Sequence, residues 1–138
     1  MIIKQLSVFL QNKTGRLTEL TRILSENNIN MTAFSIADTA DYGIVRFIVP
    51  QPEATRTLLK EQGFSVNTTD VVCLIVPNEP GGLYRALQVL SDNQVPVEYM
   101  YAFASENGAS VVIRSESCEQ VIEVLQANKI QLMRASEL

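Results

Sequence analysis

Apolar and polar positions alternate at the start of the chain, where Leu6, Val8 and Leu10 are interleaved with Ser7 and Phe9. This period of two predicts a strand with one preferred face. The period then lengthens: Leu17, Leu20, Ile23 and Leu24 fall at helical spacing, and Asn27-Asn28 marks the stop. Met31, Phe34 and Ile36 predict a second strand, Asp41-Tyr42-Gly43 a turn, and the β-branched run Ile44–Val49 a third strand. Pro52 suits the first turn of a second helix, Leu58 and Leu59 supply its apolar side, and Gly63 ends it. Phe64–Thr68 reads as a short final strand.

The same order then repeats. The expected elements of the second half are Val71–Pro77, Gly82–Asn93, Val97–Ser105, Ala109–Arg114, Glu119–Asn128 and Ile130–Arg134. At an offset of 66 residues, identities fall at Asn12/Asn78, Gly15/Gly81, Leu17/Leu83, Leu24/Leu90, Asn27/Asn93, Val45/Val111 and Leu59/Leu125. Gly43 and Gly108 are one position out of step, which suggests hairpin loops of different length. Each half therefore reads βαββαβ, an α+β unit with two helices covering one face of a four-stranded antiparallel sheet. The expected boundaries are residues 1–70 and 71–138. No Pro/Gly/Ser-rich linker separates the halves near Asp70, so they are expected to pack together.

Composition narrows the chemistry. The 138 residues are 46% hydrophobic and 19% charged, with a formal charge of −4 and scattered basic residues. Phosphate-backbone binding needs clustered Lys and Arg, so nucleic acid is not an expected partner. There is no histidine, which removes the commonest general base and the commonest metal ligand. Cys73 lies in an apolar run and reads as a buried, inert thiol; Cys118 reads as an ordinary first-turn residue. No disulfide, metal or cofactor is implied, and a reducing, cytoplasmic setting fits. No signal peptide is visible, and no apolar run reaches the about 20 residues needed to span a bilayer.

The βαββαβ pattern hosts unrelated functions, so local chemistry has to choose among them. The RNA-binding motif of aromatic residues within a basic strand is missing, and the loop after the first strand lacks paired cysteines. Arg16 alone makes a weak phosphate cradle, since Gly82 stands at its repeat position. Asp38, Asp41, Glu98 and Glu106 show no telling spacing for a catalytic pair and read as solvated charges. What repeats is the loop: Asn12-Lys13-Thr14-Gly15-Arg16-Leu17 and Asn78-Glu79-Pro80-Gly81-Gly82-Leu83. Its glycine allows a tight turn and a close approach. The following helix end offers unpaired N–H groups suited to a carboxylate, and asparagine both donates and accepts. The plain alternative is a well-formed strand-to-helix turn with no ligand.

With this loop, and with Asn28-Ile29-Asn30-Met31 at the start of the second strand, the chain resembles two tandem copies of the ACT domain family. These are ferredoxin-like regulatory modules that bind small molecules. Thr14 replaces the family's usual proline, and the second copy departs at Gln94-Val95-Pro96-Val97. The resemblance implies a free amino acid held between ACT domains, with Asn12, Thr14, Gly15, Arg16, Leu17, Asn30 and Met31 as candidate ligand-binding residues. Asn78, Gly81 and Leu83 are the second-copy equivalents, and Pro96 puts a second equivalent site in question. Leu17, Met31 and Phe34 favour an apolar or aromatic side chain. The resemblance further implies a regulatory protein without catalysis, acting on a separate metabolic enzyme or regulator. A structural or oligomerisation module without ligand is the alternative.

Tyr99, Tyr101 and Phe103 alternate with Met100 and Ala102. Matching Met100 and Ala102 to Phe34 and Ile36 places the aromatic stripe on the sheet face without helices. An exposed stripe of that size calls for a cover, by the other domain, a second chain or a ligand, and a homodimer is expected. The alternative inverts the faces and packs the rings beneath the helices.

Overall fold

The computed structural model describes residues 1–38, 41–106 and 108–138. They form β1 (Ile2–Gln11), α1 (Arg16–Glu26), β2 (Ala33–Asp38), β3 (Tyr42–Ile48), α2 (Pro52–Glu61), β4 (Ser65–Val76), α3 (Gly82–Asp92), β5 (Tyr99–Ser105), β6 (Gly108–Arg114), α4 (Cys118–Ala127) and β7 (Gln131–Leu132). The chain divides into two compact units, one of Lys4–Thr69 with Leu138, the other of Met1–Ile3 with Asp70–Glu137. For brevity these are the first and the second unit.

In the first unit the strand order is β2-β3-β1-β4. Leu6, Val8 and Leu10 of β1 and Val45 and Phe47 of β3 face Leu20, Ile23 and Leu24 of α1 and Leu59 of α2. Each fully buried side chain of this kind contributes roughly 1.5–3 kcal/mol. In the second unit the order is β5-β6-β4-β7. Val72, Leu74 and Val76 of β4 with Val111 and Ile113 of β6 pack against Ala86, Leu90, Val121 and Leu125. Both units are therefore α+β, with antiparallel ladders and two helices on one face, as the two periods in the sequence require.

The repeat extends to backbone conformation. Gly15 and Gly81 have φ of 94° and 90°, Asn28 and Gln94 55° and 57°, Gly63 and Lys129 88° and 59°. Asn27, Asn93 and Asn128 close their helices by donating side-chain amide hydrogens to Ile23, Val89 and Val124 carbonyls, each at 2.8 Å. The Ile29 N–H bonds back to Leu24 O at 2.9 Å, completing the reversal after α1.

Several elements differ from expectation. The two strands expected at Phe64–Thr68 and Val71–Pro77 merge into one, β4 (Ser65–Val76), because a run rich in β-branched residues without Gly or Pro offers nothing to end it. Arg114 donates to the Asp70 carbonyl at 2.9 Å at the middle of that strand. Of the expected turn Asp41-Tyr42-Gly43, only Asp41 lies outside β3. Tyr42 and Gly43 pair with Gln11 and Leu10, and the ladder carries them into the sheet. Gly43 and Gly108 differ in place; β3 and β6 are both 7 residues long at the same repeat positions, and the hairpins differ in length, as expected, because β5 runs one residue further than β2. β2 starts at Ala33, after Met31, and β7 is only 2 residues long before a short 3-10 turn at Ala135–Glu137.

The faces of β5 are settled by its register. Met100 and Ala102 pair with the core residues Ile113 and Val111, whereas Tyr101 and Phe103 pair with Val112 and Ser110. The aromatic stripe lies on the face away from the helices and is half-buried.

Candidate functional site

The loop between β1 and α1 is shaped by Gly15, which caps the helix in the left-handed region at φ 94°. A Cβ added there would meet nothing within 4 Å, so backbone conformation alone selects glycine. Gly81 repeats the left-handed cap at the start of α3, although a Cβ there would lie 3.1 Å from Arg85 Nη1. Its neighbour Gly82 has a different reason: a Cβ there would run into the Pro77 carbonyl oxygen. That crowding explains why Gly82 stands where the first copy has Arg16.

Arg16 makes two contacts of its own. Its guanidinium bonds the Glu19 carboxylate at 2.7 Å and lies 4.6 Å from the centre of the Phe64 ring. Thr14 is exposed on the loop.

Two hollows flank β2. A hollow of about 220 Å3 brings Asn12 and Leu17 together with Leu10, Gln11, Lys13, Ile36, Asp38, Gly43 and Val45. A larger one of about 470 Å3 lies beside α1 and is lined by Thr21, Leu24, Ser25, Asn28, Ile29, Asn30, Met31 and Phe34. The structure thus joins Asn12 to Leu17 and Asn30 to Met31, but in separate hollows. Thr14, Gly15 and Arg16 line neither. Lys13 and Asn12 also border a polar hollow of about 250 Å3 with Gln11, Asp41 and Tyr42.

The edge strand leaves large apolar side chains in solvent, Phe34 being 64% exposed and Ile36 51%, and Leu17 of α1 is 40% exposed. Phe34 and Ile36 do stand on the helix side of the sheet, opposite the core residues Phe47 and Val45.

In the second unit, Asn78 is exposed and Leu83 packs partly against the core. Glu79 pairs with Arg85 at 3.1 Å. A hollow of about 490 Å3 bordered by Tyr84, Leu87, Gln88, Leu90, Ser91, Asp92, Val95 and Val97 corresponds by repeat position to the larger hollow of the first unit. Asn78, Gly81 and Leu83 do not line it.

Burial pushes the Cys73 thiol up to about 12. It raises Cys118 as well, outweighing a backbone hydrogen bond at Ser115 and the nearby Arg114 charge. Neither thiol is poised as a nucleophile at neutral pH. Among the described residues no group of three or more His, Cys, Asp or Glu is placed to hold a metal ion. Glu98 is paired with Arg114 at 3.4 Å. No helix of the described residues is long and apolar enough to cross a membrane.

Sequence reasoning missed Lys13, Ile36, Asp38 and Gly43 as parts of the small hollow. For Ile36, Asp38 and Gly43 the signal lies in cross-strand register, which sets Asp38, Gly43 and Leu10 in one row and Ile36 in the next.

The chain matches the family described as ACT domain pair over residues 1–138. Protein BT0572 from Bacteroides thetaiotaomicron is similar at 50% identity and a TM-score of 0.95, covering 99% of this chain and 94% of that one. The ligand-free regulatory subunit of aspartate kinase from Thermus thermophilus has the same fold at 14% identity and a TM-score of 0.67, with 90% and 91% covered. Aspartokinase III from E. coli, solved with lysine and aspartate, shares it at 17% identity and a TM-score of 0.57, over 92% of this chain and 31% of the enzyme. No curated protein sequence matches with significance.

Proposed function

Since the chain belongs to the ACT domain pair family, we propose that it binds a free amino acid at the Asn12–Leu17 loop and regulates a separate metabolic enzyme or regulator. The observation that carries this is the small hollow, which sets the loop residues Asn12 and Leu17 against an apolar floor. Asn30 and Met31 stand in the segment that leads into the edge strand β2, beside α1. A ligand that orders this edge shifts the protein between states by the difference in its affinity for them.

This reading assigns the chain no catalysis and no cofactor, and sets it in the cytoplasm, where its two free thiols stay reduced. It also includes a homodimer. The exposed Phe34 and Ile36 on an edge strand form a surface that a second copy would cover. The same surface supports the rival reading, an oligomerisation module without ligand.

A thermal-shift screen of the twenty amino acids separates the two. An amino acid at 100 times its Kd stabilises the protein by about 2.7 kcal/mol. A screen in which none raises the melting temperature leaves only the oligomerisation module.

A further inference from the structure

Three cross-strand rows face the helices in the first unit. Phe34, Phe47 and Leu6 form one; Ile36, Val45 and Val8 form the next; Asp38, Gly43 and Leu10 form the last. The last row has a carboxylate at the edge, an apolar side chain inside, and no side chain between them. The small hollow includes this row, with Leu17, Ile36 and Val45 as further apolar lining and Lys13 as its cation.

A carboxylate and an ammonium group on one apolar hollow complement the two charges of an α-amino acid. A third charge, on the ligand side chain, would find no further charged group in the lining, where Gln11 and Asn12 are the other polar residues and the rest is apolar, and would lose hydration without an ionic partner. At about 220 Å3 the space is smaller than the roughly 300–1,000 Å3 typical of larger ligands, and suits a single amino acid.

The second unit serves as a control within the same chain. At the repeat positions Lys13 becomes Glu79, Asp38 becomes Ala104, Gly43 becomes Ala109 and Ile36 becomes Ala102. The equivalent row, Val76, Ala109 and Ala104, is uncharged and carries a methyl group where Gly43 leaves a gap. Glu79 is already held by Arg85. The backbone repeats and the charges do not, so the fold itself requires neither Lys13 nor Asp38.

We propose that Asp38 receives the ammonium and Lys13 the carboxylate of an α-amino acid with an uncharged, apolar side chain, at one such site per chain. This rests on the reading that an amino acid binds at this loop. Asp41, which borders the neighbouring hollow together with Lys13, is the competing carboxylate.

Calorimetric titration of the full chain with all twenty amino acids tests it. Leucine, isoleucine, valine, methionine and phenylalanine are the probes expected to include the tightest binder. Asp38→Asn should weaken that binder tenfold to a hundredfold, yet leave its deaminated analogue (4-methylpentanoate for leucine) unaffected. Lys13→Gln should weaken both, while Asp41→Asn should change binding less than twofold. Tightest binding of lysine, arginine, aspartate or glutamate, or binding indifferent to Asp38→Asn, would overturn this assignment and leave amino-acid binding at the loop intact. Binding of none of the twenty would overturn both.

Discussion

Gly43 stands directly opposite Asp38 in the ladder between β2 and β3. A Cβ at Gly43 would make only ordinary contact, 3.8 Å from Ile36 Cγ2, so alanine fits there without strain. Gly43→Ala should leave stability unchanged or raise it by about 0.4–1 kcal/mol, through the lower entropy of the unfolded chain. The added methyl group occupies the floor of the small hollow, so amino-acid affinity should fall at least several-fold. Thermal melts with titrations on the same variant check both halves, and unaltered affinity would show that the ligand does not reach this row.

Asn12 and Asn30 are exposed, and their removal leaves no buried group unsatisfied. Asn12→Ala should cost roughly 1.5–3 kcal/mol of binding, the value of a hydrogen bond to a charged group, and Asn30→Ala, outside the small hollow, should cost less. The ligand-free melting temperature should hardly move. Because Asn30 lies in the larger hollow, its variant reports whether the ligand extends along α1. Asn78→Ala should have the smallest effect of the three.

The repeat made the element order legible. Its shared glycines and helix-terminal asparagines recur as shared backbone angles, most clearly at Gly15 and Gly81. Other features depend on partners distant in sequence. Arg16 is one: its pairing with Glu19 is local, but its stacking on Phe64 requires α1 and the start of β4 to meet. Gly43 is another, because a glycine after Asp41-Tyr42 has the composition of a turn, and only the pairing with Leu10 draws it into a strand. Asp38 reads as a solvated charge for the same reason. Nothing nearby in the sequence shows that it shares a row with Gly43.

The thiols give a pH-dependent prediction. Cys73 is raised to about 12, above its unfolded value, so its burial contributes stability that is fully present below about pH 8.5–9. Above that, the unfolded chain loses the proton first, and stability falls until the folded-state thiol also ionises. Denaturant melts from pH 7 to pH 10.5 should show this decline, and Cys73→Ala should reduce its steepness. In the native protein at pH 8, thiol reagents should react slowly at both Cys73 and Cys118, with fast labelling only after denaturation. Rapid native labelling of Cys73 would contradict its burial.

Phe34 and Ile36 give the assembly prediction. Sedimentation at micromolar concentration should show twice the chain mass of 15.3 kDa. Since both side chains are exposed in the single chain, Phe34→Ser and Ile36→Ser should shift the protein toward monomer without a large loss of melting temperature. A wild-type monomer would remove the homodimer from the proposed function.

Nuclear magnetic resonance on the isotope-labelled full chain, titrated with the amino acid that gives the largest thermal shift, tests the central claim most directly. Backbone amide signals of Asn12–Leu17, and of Ile36, Asp38 and Gly43 across the hollow, should move together and saturate at one ligand per chain. Signals of Asn78–Leu83 should stay close to their free positions. Shifts confined to the second unit, or no saturable shift in the Asn12–Leu17 loop, would contradict an amino-acid site in the first.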